Sequence, residues 1–114
     1  TLGFFLQKSQ AVVLDESSRQ LTTAAIENGQ LQIDFAKSSF FTKFDLLNQN
    51  QRYTLQNKGE VARDGKLYGG NAFLAPNNMY VRGVLASDNN TAAYLFQARL
   101  DGQQIASGVT AWGK

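Results

Sequence analysis

A chain of 114 residues with 43% hydrophobic and 18% charged residues is long enough for one core, too short for two, and too apolar to remain disordered. Having neither cysteine nor histidine, it is barred from disulfides, thiolate zinc sites and Ser-His or Cys-His nucleophilic pairs, and this argues against catalysis. The formal net charge of +2 comes from cations scattered singly among carboxylates. That pattern lacks the cationic cluster that nucleic acid requires, and no apolar run reaches the roughly 18 residues of a membrane helix.

The first predicted element is "LGFFLQKSQAVVLD", Leu2 to Asp15, read as one long strand or two short ones. Opening there rather than on a signal peptide, the sequence reads as a mature product or as a C-terminal domain of a longer protein. Three dipeptides then organise the chain: Asn28-Gly29, Asp64-Gly65 and Asp101-Gly102. Asn-Gly and Asp-Gly tolerate positive φ at both centres of a type I′ turn, so each predicts a β-hairpin. Around the first, "QLTTAAIE" and "QLQIDFA" alternate apolar and polar residues with the period of a half-buried strand.

After a Lys37-Ser38-Ser39 connection, "FFTKFDLL" places Phe40, Thr42, Phe44 and Leu46 on one face. "NQNQ" predicts the next loop, and "RYTLQNKGEVAR" runs to Asp64-Gly65 with Gly59 as a candidate bulge or bend. "KLYG" returns, and the irregular stretch from Gly69 to Met79 holds the only Pro, Pro76. Loops of that length either cover a barrel end or carry function. "YVRGVLAS", "TAAYLFQARL" and "QQIASGVTAWGK" complete the series, with Ala92, Tyr94, Phe96, Ala98 and Leu100 sharing a face. No segment has the helical period over a useful length. Eight or nine short-linked strands predict an all-β, antiparallel up-and-down barrel over residues 1–114, because a meander loses its exposed edges by closing. The last strand must then pair with the first, with Trp112 at or beside the seam. Polar residues such as Gln32, Asp34, Lys43 and Asp45 recur opposite the apolar face, so the barrel is expected to be soluble and not membrane-spanning.

The order of "LQIDFAKSSFFTKFDL", "YTLQNKGEVARDGKLYG", "YVRGVLASDNNTAAYLFQA" and "ASGVTAWGK" resembles the eight-stranded barrel domain of transferrin-binding-protein-like envelope proteins. It also resembles the related C-terminal barrels of FecR-type bacterial proteins. The shared features fall at Asp34-Phe35, Phe40 to Phe44, Asp64-Gly65 with Tyr68-Gly69, Ala92 to Phe96, and Gly108-Val109 with Trp112-Gly113-Lys114, within residues 30 to 114. The resemblance implies a barrel in the bacterial cell envelope, exported to the periplasm or the outer-membrane surface. It does not carry over transferrin binding, because that family's long contact loops are short or missing here.

Several residue sets are weighed for chemistry. Phe4, Phe5, Phe35, Phe40, Phe41, Phe44, Phe73 and Phe96 either fill a solid core or line a cavity for a small apolar ligand, as in a lipocalin-like carrier. Neighbours such as Phe4-Phe5 and Phe40-Phe41 point to opposite faces, so one of each pair lies outside, where apolar patches mark interaction surfaces. Arg52-Tyr53 and Tyr80 with Arg82 lack the electrostatic funnel of a single-strand-binding surface and read as cross-strand or solvated pairs. Asp34 and Asp45 are candidates for an acid/base pair, against the plainer role of surface salt bridges. No cofactor or metal ligand set is present. The expected function is a non-catalytic binding or structural module acting on another protein, through a candidate surface of Tyr68, Phe73, Tyr80, Arg82 and Trp112; the alternative is a carrier of a small apolar ligand inside the barrel.

Overall fold

The computed structural model describes residues 1–72 and 74–114; Phe73, one of the candidate surface residues, lies outside the described residues. Eight strands follow in order: β1 (Leu2–Asp15), β2 (Gln20–Asp34), β3 (Ser39–Asn48), β4 (Gln51–Val61), β5 (Lys66–Gly69), β6 (Tyr80–Leu85), β7 (Thr91–Arg99) and β8 (Gln104–Gly113). Each pairs antiparallel with the next, and β8 pairs back to β1 to close the barrel. The terminal strand therefore does seal the ring, with Leu6 opposite Trp112 at the seam.

Alternation decides what lies inside. Along β7 every second residue, Ala92, Tyr94, Phe96 and Ala98, is buried, and the residues between them are exposed. Along β3 Phe40, Thr42, Phe44 and Leu46 face inward. A strand's side chains alternate strictly, so one apolar row per strand suffices to build the core.

The Asn28-Gly29 hairpin does not form. β2 runs unbroken through it, and the pairing with β3 shifts by one residue between Glu27 and Gln30. This is a β-bulge, and Asn28 takes the positive φ of 56° there. Asn-Gly supplies the left-handed backbone that either a hairpin or a bulge needs; the flanking runs share the same neighbours, β1 and β3, and so form one strand. This merger brings the count to eight. Gly29 faces inward, where an added Cβ would sit 3.0 Å from Trp112 Cη2. The actual β1–β2 reversal is at Glu16–Arg19, where the Asp15 carboxylate accepts from the Ser17 and Ser18 amides.

Type I′ character appears instead at Gln49-Asn50, with φ values of 48° and 67°, between β3 and β4. Asp64-Gly65 and Asp101-Gly102 do lie in hairpin loops, with positive φ at both glycines. Gly59 marks a close approach and not a bulge: β3 and β4 stay in register past it, and a Cβ there would lie 2.6 Å from Phe40 Cε1.

β5 is the weak point of the wall, since it pairs with β4 at only Glu60 and Val61. The segment between β5 and β6 repairs it. Asn77 Oδ1 accepts from the Lys58 amide at 2.9 Å, and Asn78 Oδ1 from the Gln56 amide at 2.7 Å. Asn78 Nδ2 donates to the Thr54 carbonyl at 2.8 Å. Two asparagine side chains thus do for the β4 edge what a neighbouring strand would do. Met79, fully buried, fills the gap behind them.

The interior is occupied by the protein's own side chains. Phe44 and Phe96 meet edge to face at 4.8 Å, and Tyr94 stacks on Trp112 at 5.7 Å. The polar atoms among them are paired: Tyr94 Oη with Thr42 Oγ1 at 2.6 Å, and Trp112 Nε1 donating to Thr110 Oγ1 at 2.8 Å. Burial pushes the Tyr94 hydroxyl far above its ordinary pKa, so it stays neutral.

Candidate functional site

With the core filled, the sheet's outer surface is where binding geometry must be sought. The register aligns two outward rows across four adjacent strands. One is Gln10, Val109, Leu95 and Arg82; the other is Val12, Ser107, Gln97 and Tyr80. Between them lies the backbone of Ala11, Gly108, Phe96 and Val81. Rows on one face of a strand are about 7 Å apart and strands about 4.8 Å apart, so the pair encloses a shallow trough running across the strands. Its volume is about 560 Å³, bounded by those rows and floored by that backbone. Gly108 leaves room beneath that backbone: on the inward side an added Cβ would sit 2.7 Å from Phe96 Cε1.

One row is apolar at its centre, Val109 and Leu95, and polar at its ends, Gln10 and Arg82; the other has Ser107 and Gln97 at its centre between Val12 and Tyr80. Leu95 and Val109 are about half exposed, at 57% and 45%. Arg82 closes one end, its guanidinium lying over the Tyr68 ring at 5.3 Å from the centroid. Its Nη1 donates only to the Val81 carbonyl, at 3.3 Å, and no carboxylate pairs with it among the described residues. Tyr80 stands two residues from Arg82 on the same face, and Tyr80 and Gln97 also border a smaller cavity of about 280 Å³ toward Ala72 and Asn78.

Charge is segregated around the barrel. Glu27, Asp34, Asp45 and Glu60 belong to β2, β3 and β4, and the remaining carboxylates lie in turns or at the end of β1. The outward positions of β5 to β8 and of β1 short of its end carry Lys8, Lys66, Arg82 and Arg99, and no acid. Arg99 is paired with Glu16 at 2.9 Å. On the opposite side Asp45 accepts from Asn28, Thr54 and Arg52, each at 2.9 Å. The Asn28 and Thr54 hydrogen bonds, with Arg52 beside them, hold its carboxyl below the ordinary 3.8.

The structure sorts the sequence candidates. Tyr68, Tyr80 and Arg82 come together on the outer face, with Tyr68 directly opposite Arg82 in the β5–β6 ladder. Trp112 does not join them: it is 1% exposed and points inward, because it falls on the buried phase of β8. Phe4, Phe40, Phe44 and Phe96 are core, Phe5 and Phe35 are exposed, and Phe41 is half-buried on the outer face. Among the described residues, Phe4, Phe40, Phe44 and Phe96 belong to one packed core cluster. Asp34 and Asp45 do not meet, since Asp34 pairs with Ser39 and Asp45 with Glu27, well apart along the β2–β3 ladder. Among the described residues no three His, Cys, Asp or Glu side chains gather as a metal site would need.

Sequence reasoning missed Leu95 and Val109, the apolar centre of one row, and Val12, at the β1 end of the other. The available signal was "YLF", in which Leu95 sits between two inward aromatics and so must face out.

No protein-family model matches this chain, and no curated protein does. Solved structures with a similar fold include a deswapped triple mutant of bovine odorant-binding protein, at 10% identity and a TM-score of 0.44, over 96% of this chain and 72% of that one. The odorant-binding protein from bovine nasal mucosa aligns at 10% identity and a TM-score of 0.43, covering 96% and 70%. Aphrodisin, a sex pheromone from female hamster, aligns at 11% identity and a TM-score of 0.42, covering 96% and 74%.

Proposed function

We propose that this chain is a non-catalytic binding barrel of a bacterial envelope protein, and that it holds a small apolar ligand in the exterior trough instead of inside the barrel. One observation carries the reading: the interior is packed with Phe40, Phe44, Tyr94, Phe96 and Trp112, while about 560 Å³ lies open over Leu95 and Val109. Small-molecule sites commonly occupy about 300–1,000 Å³, mostly apolar with a few placed polar groups. The envelope setting rests on the motif resemblance, whose family shares the closed eight-stranded architecture.

Titration with the fluorescent apolar probe N-phenyl-1-naphthylamine tests the site. Saturable one-site binding is expected, abolished by Leu95→Asp and kept by Tyr94→Phe, which alters only the interior. Binding that ignores Leu95→Asp overturns the exterior location.

A second reading, a protein-interaction module, is favoured by the continuation of the apolar face beyond the trough to Val84, Leu14 and Leu21, all exposed. It predicts that the probe binds weakly and that a photo-crosslinker at Leu95 captures one defined envelope protein.

A further inference from the structure

We propose that the ligand of the trough is a single-chain anionic amphiphile, its apolar chain lying along Leu95, Val109 and Val12 and its charged head on Arg82. The inference rests on the reading of the trough as a small-ligand site and adds the chemistry of the ligand. Three observations carry it. First, the trough is elongated: four strands in register set its long axis across the ladder, with Val109 and Leu95 in the middle of one row and Val12 at the β1 end of the other. Four strands at about 4.8 Å spacing span on the order of 15 Å along the curved wall, which suits a flexible alkyl chain that follows the curve and not a compact ring system.

Second, the cation is at one end and lacks an acidic partner among the described residues. Arg82 makes a 3.3 Å hydrogen bond to a carbonyl and a 5.3 Å stack on Tyr68. By contrast, Arg52 and Arg99 sit on carboxylates at 2.9 to 3.2 Å. Tyr68 orients the Arg82 guanidinium, leaving N–H donors for a planar anion such as a carboxylate. Glu60 is the nearest acid in that row, beyond Tyr68 and two strands from Arg82. At about 10 Å it is screened at physiological salt.

Third, no acid stands among the outward strand positions around it: they hold Lys8, Lys66, Arg82 and Arg99. Turn carboxylates pair Lys66 with Asp64 and Arg99 with Glu16, so Arg82 is the cation of the trough left to meet a negative head group. Together these select a molecule greasy along its length and negative at one end.

Isothermal titration of the folded chain with decanoate and with decan-1-ol, both below their aggregation limits, tests the proposal. Decanoate should bind one per chain and about tenfold or more tighter than the alcohol, the worth of one charge-assisted pair. Arg82→Gln should erase that preference while leaving alcohol binding, and Leu95→Asp should abolish both. Lys58→Gln, on the β4 face, should change neither; if it weakens decanoate as much as Arg82→Gln, general charge attraction replaces the site. Equal affinity for acid and alcohol overturns the head-group assignment and leaves the apolar site standing, whereas failure of both to bind overturns the small-ligand reading itself. Binding to phosphatidylglycerol vesicles without binding free decanoate overturns the proposal in favour of a membrane-docking face. All three variants replace exposed side chains, and cooperative unfolding of each is the check that loss of binding is not loss of fold.

Discussion

Asn57 shows how much one side chain can decide. Wholly buried on β4, it donates from Nδ2 to the Met79 carbonyl at 2.6 Å and to the Gly70 carbonyl at 3.3 Å, while its Oδ1 has no hydrogen-bond partner. It pins both ends of the segment that bridges β5 and β6. Asn57→Ala removes both donations and is expected to cost about 1–3 kcal/mol, read from the urea midpoint. Glycines divide by their surroundings in the same way. An added Cβ at Gly83 would fall 2.2 Å from the Ala93 carbonyl oxygen and 2.4 Å from Tyr94 Cβ, whereas at Gly70 it meets nothing within 4 Å. Gly83→Ala should therefore destabilise by about 1–3 kcal/mol and Gly70→Ala by less than about 0.5. Acid titration probes Asp45. Its folded pKa lies below the ordinary 3.8 because of Asn28 and Thr54 hydrogen bonds and Arg52. The stabilisation is thus present above that ordinary value and disappears as pH falls through the lower folded one. Stability should decline below about pH 4, more gently in Asp45→Asn, and most of the difference should persist in high salt because its main source is hydrogen bonding from the neutral Asn28 and Thr54. None of this was legible in the sequence, where Asn57 is one polar residue among many and Asp45 a surface charge.

Strands were far easier to read than their connections. Alternation in β3 and β7 located the inward rows correctly because the period of two is a property of the backbone itself; in β8 it separated two rows without saying which faces in, and Trp112 was expected outside. Asn28-Gly29 misled for an equally physical reason: positive φ serves a turn and a bulge alike, and local sequence does not say whether the flanking runs face each other or share neighbours. The bridging segment was expected to cover an end or carry function; two of its asparagines also patch the wall. Its asparagines predict a local effect. Replacing Asn78 by Ala should speed amide exchange at Gln56, whose N–H then lacks its 2.7 Å acceptor, by about tenfold or more, while Leu55, paired with Phe44 in the β3–β4 ladder, keeps its protection. Uniform acceleration across β4 would instead mean that the wall does not depend on this patch.

At the scale of the whole barrel, stability should concentrate where the ends of the chain meet. Trp112 is 1% exposed, stacks on Tyr94 and bonds Thr110. Trp112→Ala is expected to cost about 3–5 kcal/mol, measured by denaturant unfolding. Tyr94 adds an alkaline limit. Its folded pKa is raised, so the stability its neutral form provides is complete below the ordinary tyrosine value of 10.0 and is lost as pH climbs beyond it. Tyr94→Phe should flatten that alkaline decline.

By itself the sequence determined an all-β meander, the inward row of most strands and the closure of β8 on β1. These follow from short-range rules: side chains alternate, tight turns need particular residues, and unpaired edges must be covered. Tertiary structure alone decided that Trp112 belongs to the core, that Asn28-Gly29 bends a strand without ending it, and that Leu95, Val109 and Arg82 align into one trough. Each of those depends on register between strands distant in the chain, and a one-residue difference in register turns a buried side chain outward.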